Sequence, residues 1–352
     1  MRCYHAVVIP NRSARMKTKF PAAAIAAVII LTFLCAGSSQ AQTQAGTPSP
    51  ALLVLNKSEN SLAIVDPATQ KIIARIPTGE GPHEIAVSAD GKLAVVTNYG
   101  AQTPGHSLSV IDLNTQTEIH RVDLGPLGRP HGILFADGQA YLTVELNKLI
   151  ARYDPATSKL DWLLGVGQNR THMLVRTKYS NEFFTSNVDS NTITAVEKSS
   201  DPSGWKETNI AVGKGPEGID LSPDEKEVWA ANSGDGTVSI INPATSKVIQ
   251  TFDVRTKRSN RLKFTPDGKL VLISDLETNE LVIVDTAARK ITKMLNVGRN
   301  PGGILIVPDG SRAYVALAGD NAVAVIDLHT LEVTGKIPTG QGPDGLAWST
   351  RP

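Results

Sequence analysis

From residue 51 onward, hydrophobic and polar residues alternate in short runs, and Gly, Pro, Asp or Asn separates one run from the next. Alternation with a period of two is typical of a strand with one buried side, whereas an amphipathic helix needs a period near 3.6. The stretch "PHEIAVSADGKLAVVTNYG" holds two such runs, and "LSVIDLNTQTEIHRVDLG" supplies two more. The pattern therefore predicts an all-β chain.

This four-strand unit repeats along the chain. Equivalent units begin at Pro82, Pro130, Thr171, Pro216, Ser259, Pro301 and Pro343. Four short strands in about 42 residues are typical of a β-propeller blade. The unit at Pro343 holds only one strand, and residues 51–79 supply the other three. We therefore expect seven four-stranded blades, closed into a ring by a blade shared between the N- and C-terminal segments.

Four Asp-Gly pairs stand between the first and second predicted strands of their units, at Asp90-Gly91, Asp137-Gly138, Asp267-Gly268 and Asp309-Gly310. A two-residue type I′ hairpin turn needs positive φ at both central residues, and Asp-Gly supplies this readily. We expect two-residue hairpins at these four places.

Three stretches carry a resemblance to a known group: "GPHEIAVSADGKLAVVTNYG", "GPEGIDLSPDEKEVWAANSGDGTVSIINPATSKVIQTF" and "NPGGILIVPDGSRAYVALAGDNAVAVIDLHTLEV". They resemble the YVTN-type repeats of exported, YncE-like seven-bladed propellers, and the resemblance covers residues 51–349. It implies the propeller fold. It leaves the activity open, because relatives on this repeat include lactonase-type enzymes, cofactor-bearing domains and binding proteins.

The N-terminus has the order of a secretory signal. Basic residues precede the apolar run Ala22–Ala36, and a small-polar stretch ends at Ala41. We expect residues 1–41 to be a cleaved signal peptide beginning at Met1 or Met16, residues 42–50 to be a flexible segment, and residues 51–352 to form the propeller. The protein is then periplasmic or secreted, and its mature form has no membrane span and no cysteine.

The charge balance and the motifs of the chain limit the kinds of partner and cofactor that we expect. Residues 1–41 carry five Lys or Arg and no Asp or Glu, so the remaining chain has 30 basic and 34 acidic residues. This balance argues against nucleic acid as a partner. Because no C-x-x-C-H motif is present, covalent haem is not expected, although noncovalent haem or quinone stays open. We expect a monomer.

Histidines recur at one position of the repeat. The first strand of a propeller blade lines the central channel, and its second residue in the seven units is His83, His131, His172, Glu217, Asn260, Gly302 or Asp344. His83, His131, His172 and Glu217 are a normal ligand set for zinc, iron or manganese. Two other interpretations stay open: a metal-free acid/base pair of histidine and Glu217, and inherited polar residues solvated by water.

Basic residues surround the same mouth of the channel. Arg129, Arg170, Arg258 and Arg261 stand next to the channel position, and they favour an anionic ligand that guanidinium groups can bind. A solvated loop surface balanced by nearby carboxylates is the alternative.

The loop after the second strand opens on the same face, and its aligned residues are Asn98, Glu145, Asn187, Asn232, Asp275, Ala318 and Asn56. Asparagine at this position is expected to hydrogen-bond its own loop. Glu145 and Asp275 depart from the series. With Asn260 and Asp344, they are secondary candidates for ligand contacts.

The residues at the channel mouth are compatible with two classes of function. In the first, the channel mouth is the site of a metal-dependent hydrolase, lyase or lactonase that acts on an anionic small molecule. In the second, the same mouth binds an extracytoplasmic protein, a glycan or single-stranded DNA without chemistry. The scarcity of aromatic residues in the mouth loops argues against single-stranded DNA, because bases stack on such residues.

Overall fold

The computed structural model describes residues 46–178, 181–200 and 204–351. The predicted signal peptide, residues 1–41, lies outside the described residues, as do residues 42–45. The described chain forms 28 strands in seven sheets, and each sheet has four antiparallel strands. The all-β, seven-bladed propeller predicted from the repeat is therefore confirmed.

Each blade is one sheet, and the blades follow the chain. Blade 1 is β28 (Pro343–Ser349), β1 (Ala51–Asn56), β2 (Ser61–Asp66) and β3 (Lys71–Pro77). Blade 2 is β4 (Pro82–Val87), β5 (Leu93–Gly100), β6 (Pro104–Asp112) and β7 (Thr117–Asp123). Blade 3 is β8 (Pro130–Ala136), β9 (Gln139–Val144), β10 (Leu149–Asp154) and β11 (Lys159–Gly165). Blade 4 is β12 (Thr171–Arg176), β13 (Phe183–Asn187), β14 (Thr192–Lys198) and β15 (Trp205–Ala211).

The remaining blades have the same order. Blade 5 is β16 (Pro216–Leu221), β17 (Val228–Asn232), β18 (Thr237–Asn242) and β19 (Lys247–Asp253). Blade 6 is β20 (Ser259–Phe264), β21 (Leu270–Asp275), β22 (Glu280–Asp285) and β23 (Lys290–Asn296). Blade 7 is β24 (Pro301–Ile306), β25 (Arg312–Leu317), β26 (Ala322–Asp327) and β27 (Glu332–Pro338). Short 3₁₀ turns occupy Lys57–Glu59, Val188–Ser190 and Pro243–Thr245.

The ring closes through blade 1. The C-terminal strand β28 pairs with β1, with Ala51 opposite Ser349. Seven inner strands, β28, β4, β8, β12, β16, β20 and β24, contact one another in turn around the centre. Pairing the two ends of the chain in one sheet removes the open edges that a linear array would leave.

The hydrophobic core lies between neighbouring blades. Fully buried Trp229 of blade 5, for example, packs with Leu262 and Val271 of blade 6. Both faces of each sheet are covered in this way, so the second and third strands of most blades are buried almost throughout. Outer strands such as β11 alternate exposed and half-buried positions because water covers one side.

The turn prediction holds at one of its four places. Ala136 pairs with Gln139, so Asp137-Gly138 is a two-residue hairpin with φ of 53° and 79°. At the other three Asp-Gly pairs the prediction was wrong, because the strands separate earlier: Val87 pairs with Ala94 in blade 2. There the amide of Gly91 donates to the carbonyl of Ser88, so only the glycine needs positive φ.

No helix among the described residues is long and apolar enough to cross a membrane.

Candidate functional site

A β-bulge at the start of each inner strand presents the candidate residues. In β4, Pro82 pairs with Asn98 and Ile85 pairs with Val96, so His83 and Glu84 together oppose one residue. The same shift occurs in every inner strand, after its first residue. A bulge leaves its residues outside the regular ladder and changes the direction of their side chains.

Three imidazoles cluster on the inner strands of blades 2 to 4, the ring of His131 edge-on to that of His83 and tilted by 38° to that of His172. The ring of His131 lies 3.7 Å from the ring of His172 and 4.1 Å from that of His83, measured between centroids. Tyr99 packs edge-on at 5.4 Å from His131 and 5.1 Å from His83. The structure therefore brings together the three histidines that the sequence places in one register.

A hydrogen-bonded chain runs through His172. Its Nδ1 lies 2.5 Å from Oε1 of Glu145, and the Tyr99 hydroxyl donates to Oε2 of the same carboxylate at 2.6 Å. The other imidazole nitrogen, Nε2, lies 3.5 Å from Oε1 of Glu217, which also accepts from the Asn260 amide at 3.1 Å. His172 is thus held between two carboxylates.

Glu145 reaches this position because its register differs from the one predicted. Pro130 pairs with Val144, whereas Pro82 pairs with Asn98, so Val144 and not Glu145 is equivalent to the loop asparagines. The first hairpin of blade 3 is two residues shorter than that of blade 2, which moves Glu145 into the position of Tyr99. The amides of Glu145 and Tyr99 accordingly donate to equivalent carbonyls, those of Arg129 and Gly81.

Asp344 forms an ion pair with Lys57 beside the three imidazoles. Nδ1 of His83 lies 2.6 Å from Oδ2 of Asp344, and Nζ of Lys57 donates to the same oxygen at 3.3 Å. Gly302, between Asn260 and Asp344 in the ring, contributes no side chain. The polar groups of the channel layer are therefore concentrated around the three histidines.

Burial and charge give the three imidazoles different proton affinities. Burial lowers the pKa of His131 well below its usual value, and the charges of His172 and His83 lower it further. Burial also lowers the pKa of His83, although Asp344 opposes the effect. Burial acts in the same direction on His172, but the hydrogen bond with Glu145 and the charges of Glu217 and Glu145 outweigh it and raise its pKa.

Burial and neighbouring charges also shift the pKa values of Glu217, Glu145 and Tyr99. Burial favours the neutral form of Glu217, but the charge of His172, with those of Arg261 and Arg170, brings its pKa down to about 2. The pKa of Glu145 is lowered in the same manner, chiefly by His172 against the effect of burial. Burial and the adjacent Glu145 raise the pKa of Tyr99 to about 12. Without a metal ion, the chain from Tyr99 to Glu217 therefore favours an imidazolium between two carboxylates, and a metal ion bound by His172 would displace one of its protons.

His131 has no polar partner for either ring nitrogen among the described residues, although its side chain is fully buried. A buried polar atom without a hydrogen bond costs about 1–3 kcal/mol. Such an atom in a folded protein is therefore usually bound by a water, a ligand or a metal ion. The neutral state of His131 leaves one lone pair free to bind a cation.

His131, Glu145 and His172 fit a metal ion. One ligand atom from each lies within 4.8 Å of the other two, and all three residues are buried. Two imidazoles and a carboxylate form a common ligand set for divalent transition metals. The cluster could hold a metal, with Glu145 in place of the predicted Glu217 and His83.

The mouth of the channel beside the cluster is a pocket of about 400 Å³. Its polar lining includes Tyr99, Arg129, Glu145, Lys148 and Arg170. The Arg129 guanidinium lies 4.6 Å from the centre of the Tyr99 ring, and Nε of Arg170 lies 3.9 Å from Glu145. The pocket thus holds three cationic side chains beside the buried cluster together with the carboxylates of Glu145 and Asp189, and Nη1 of Arg170 lies 3.8 Å from Oδ1 of Asp189.

Arg129 and Arg170 have left-handed backbones, with φ of 57° and 54°. Each directly precedes an inner strand, and the residues before three other inner strands, Gly81, Gly215 and Gly342, are glycines with φ near 60°. A left-handed conformation costs an ordinary residue roughly 1–2 kcal/mol. Arg129 and Arg170 therefore keep a long side chain at positions where glycine would avoid the backbone strain.

Three further predicted residues, Arg258, Arg261 and Asp275, do not line the mouth pocket. Arg258 is exposed, and its amide donates to Asp275, which also accepts from the amides of Lys257 and Glu277 and so holds its own loop. Arg261 lies inside the channel, where its Nε donates to Glu84 at 2.9 Å. Neither Arg258 nor Arg261 lines the mouth pocket.

Sequence reasoning did not assign Tyr99, Lys57 or Lys148 to the site. Tyr99, Lys57 and Glu145 occupy one register, the residue just after the paired loop position, as the equivalent amide bonds show. Correct strand pairing of the repeats was the signal that would have grouped them.

Two family models match parts of the chain. A family model described as YNCE-like beta-propeller matches residues 15–208, and one described as Choice-of-anchor I domain matches residues 173–342. No curated protein matches the chain.

Solved structures resemble the chain at low identity. A candidate 6-phosphogluconolactonase from Bacteroides uniformis is 15% identical with a TM-score of 0.72, and covers 85% of this chain and 99% of its own. A functionally unknown protein from Desulfotomaculum acetoxidans is 14% identical, with a TM-score of 0.71 over 86% and 99% of the two chains. Hydrazine synthase from Kuenenia stuttgartiensis is 19% identical, with a TM-score of 0.63 over 75% and 88%. Likeness at this level establishes the fold alone.

Proposed function

Because this chain belongs to the YncE-like β-propeller family, whose repeat leaves the activity to the channel site, we propose that it is a metal-dependent hydrolase of an anionic lactone or ester. His131, His172 and Glu145 hold a divalent metal ion: zinc, iron or manganese. The mouth pocket binds the anionic group of the substrate. The observation that carries the proposal is His131, which is fully buried with both nitrogens unpartnered beside a second histidine and a carboxylate.

Each part of the pocket has a role in this proposal. Arg129 and Arg170 bind a carboxylate or phosphate of the substrate, for which guanidinium groups are well suited. A divalent metal ion supplies a Lewis acid for the acyl carbonyl and lowers the pKa of a bound water. Tyr99 orients Glu145 through its hydroxyl. Water adds to the acyl carbon, the ring C–O bond breaks, and the products are a carboxylate and an alcohol.

Two of the similar structures are described as candidate 6-phosphogluconolactonases. Their substrate class, a sugar lactone with a phosphate, matches the requirement for an anionic group beside a hydrolysable acyl bond. A phosphorylated sugar lactone is therefore the first substrate to test.

Metal content tests the first half of the proposal. Purified wild-type protein is expected to bind one equivalent of divalent metal, measured by mass spectrometry of the metal after dialysis. His131→Ala is expected to lose it, while His329→Ala, which removes an exposed histidine outside the site, is expected to keep it. Wild-type protein that neither retains nor takes up zinc, iron or manganese would contradict the metal site.

Hydrolysis tests the second half. 6-Phosphogluconolactone is expected to be hydrolysed with a kcat/KM about 10-fold or more above that of uncharged gluconolactone, because charge-assisted hydrogen bonds contribute about 1.5–3 kcal/mol. Acid release at constant pH measures both rates. Arg170→Gln should remove most of the preference. Metal and anion binding without hydrolysis would instead identify a binding protein.

The proposal places this activity outside the cytoplasm, as the order of residues in the 1–41 segment predicts. Intact mass of the protein after expression of the full chain in a bacterium tests it, with cleavage after Ala41 as the expected result. A mass that includes residues 1–41 would contradict export by this signal.

A further inference from the structure

Asparagine connects neighbouring blades at one position of the repeat. In four blades the residue before the third strand is asparagine, and its Oδ1 accepts from the amide just before the inner strand of the next blade, at 2.8–3.0 Å. The four pairs are Asn60 with Gly81, Asn191 with Gly215, Asn279 with Asn300, and Asn321 with Gly342. Each bond therefore ties two blades together at the face where the inner strands begin.

Lys148 occupies this position in blade 3. Its carbonyl accepts from the amide of Val166, as that of Asn60 accepts from Thr78, so the two positions are equivalent. Both residues have a left-handed backbone, with φ of 56° and 53°. Asparagine tolerates this conformation better than lysine does. Because a lysine side chain has no acceptor atom, the bond from blade 3 to blade 4 is not made.

The amide that lacks this bond belongs to Arg170. The equivalent amides of the other six blades all donate to described acceptors, and they belong to Gly81, Arg129, Gly215, Arg258, Asn300 and Gly342. The amide of Arg170 has no acceptor among the residues that the structure describes. Lys148 and Arg170 both line the mouth pocket and are both exposed. A free N–H donor and two cationic side chains therefore lie at the junction of blades 3 and 4.

The pocket keeps a positive charge at this junction. Arg129, Lys148 and Arg170 are three of the five Lys or Arg residues with a left-handed backbone in the described part of the chain, and all three line the pocket. Of the two carboxylates in the lining, Glu145 belongs to the proposed metal site and Asp189 lies 3.8 Å from Arg170. Lys148 forms no ion pair with a described residue. Its charge is therefore available to a ligand.

A phosphate monoester matches these donors better than a carboxylate does. It has three terminal oxygens and a charge of about −1.5 to −2 at neutral pH. One oxygen can accept from the Arg170 amide while the others bind the Lys148 ammonium and a guanidinium. A carboxylate has two oxygens and a single charge, so it leaves one of these donors unpaired.

We propose that Lys148 and the Arg170 amide form a phosphate subsite, in which a phosphate oxygen takes the place of the asparagine oxygen that joins other blades. Lys148 then selects a phosphate monoester over a carboxylate. The subsite rests on the proposed function in one respect, because it holds the anionic group of that substrate. It requires neither the metal ion nor hydrolysis.

Glucose 6-phosphate and glucuronate are the probes, because they differ in the anionic group at carbon 6 and neither has an acyl bond to hydrolyse. Isothermal titration calorimetry of the wild-type protein at pH 8 should show glucose 6-phosphate binding about 10-fold or more tightly. His131→Ala should keep this preference, since His131 lies outside the subsite. A preference that persists without metal binding would contradict the metal site alone.

Lys148→Asn restores the residue of the other four blades. It should raise the midpoint of thermal unfolding, because the bond to the Arg170 amide forms, and it should lower the affinity for glucose 6-phosphate about 10-fold. Affinity for glucuronate should change by about 2-fold at most. A merely structural role of Lys148 does not predict a more stable protein that binds phosphate less well. Lys214→Asn is the matched control, because it removes an exposed cation outside the pocket, and it should leave the preference intact.

Lys148→Gly separates the ammonium from the amide, since glycine accepts the left-handed backbone and offers the amide no partner. Its affinity for glucose 6-phosphate should lie between those of the wild-type protein and Lys148→Asn. Equal wild-type affinities for the two probes, or a preference that survives Lys148→Asn, would overturn the proposal. Equal affinities of the glycine and asparagine variants would remove the Arg170 amide from the subsite and overturn it as well.

Discussion

Blades 3 and 5 have the same four strands but fill equivalent positions at the mouth differently. In blade 5, Gly215 takes the left-handed backbone before the inner strand, and Asn232 donates to Thr237 and Ser239 of its own blade. In blade 3, Arg129 takes the left-handed backbone and Val144 replaces the asparagine.

Each departure in blade 3 weakens local structure and adds a group to the site. Arg129 accepts backbone strain and reaches the ring of Tyr99. The shortened hairpin gives up the asparagine bonds and brings Glu145 to His172. A sequence usually breaks its own structural rules where function requires it. Blade 5 thus keeps the regular bonds of the framework, whereas the irregular blade 3 supplies Arg129, His131 and Glu145 to the candidate site.

Among the substitutions that compare blades 3 and 5, Asn232→Ala is expected to have the largest effect on stability. It removes two buried hydrogen bonds within blade 5, so we expect the free energy of unfolding to fall by about 2 kcal/mol. Urea titration measures this loss. Metal content should stay at the wild-type level because Asn232 belongs to the framework, and loss of metal would show that the two roles are not separate.

Glu182 of blade 4 and Glu227 of blade 5 give a pH-dependent contrast. Both amides donate to the side-chain oxygen of the residue five positions earlier, Thr177 or Ser222. Glu227 binds Arg289, whereas burial and the charge of Glu197 raise the pKa of Glu182 to about 7. Between pH 4.5 and 7 the folded state therefore keeps a proton at Glu182 that the unfolded state loses, and stability falls as the pH rises.

Glu182→Gln removes this loss. At pH 8 we expect the free energy of unfolding to rise by about 1–2 kcal/mol, and at pH 4 we expect no gain, because the wild-type side chain is then protonated in both states. Glu227→Gln is the matched control and should destabilise the protein at pH 8, since it breaks the pair with Arg289. Urea titrations at the two pH values measure both, and an equal gain at pH 4 and pH 8 would refute the assignment.

Gly215→Ala should show the smallest effect. Its added Cβ would meet no atom closer than 3.5 Å, so the left-handed backbone is the only obstacle. We expect the free energy of unfolding to fall by about 1 kcal/mol. The reciprocal Arg129→Gly should change it by less than that, because relief of strain is offset by loss of the contact with Tyr99, worth about 0.5–1 kcal/mol. A large loss in Arg129→Gly would show that the arginine is structural.

The fold could be predicted because each blade repeats the same alternation and turns. The second residue of each inner strand was found by counting from Pro82, Pro130 and their equivalents, and the paired strands confirm that these residues share one register. Counting failed at Glu145, because the first hairpin of blade 3 is two residues shorter, and at Ala318, because Pro301 pairs with Leu317. Only strand pairing reveals such a shift.

The Glu84–Arg261 pair could not be predicted from the repeat. The two residues are 177 positions apart, and a repeat indicates which residues are equivalent but not which ones meet across a ring. Arg261 follows Asn260 directly, and the bulge in β20 decides which of them joins the histidine layer. The direction of a side chain in a bulge depends on backbone geometry rather than on residue type.

The pairing of Ala51 with Ser349 also sets an order of events during synthesis. β1 is made before the other six blades and its inner partner β28 is made after them, so one edge of β1 has no neighbour while those blades emerge. An unpaired, apolar strand edge is a site for wrong association, and contacts this distant in sequence form slowly. The nascent protein therefore depends on delayed closure, and a factor that shields β1 until β28 has emerged should raise its yield.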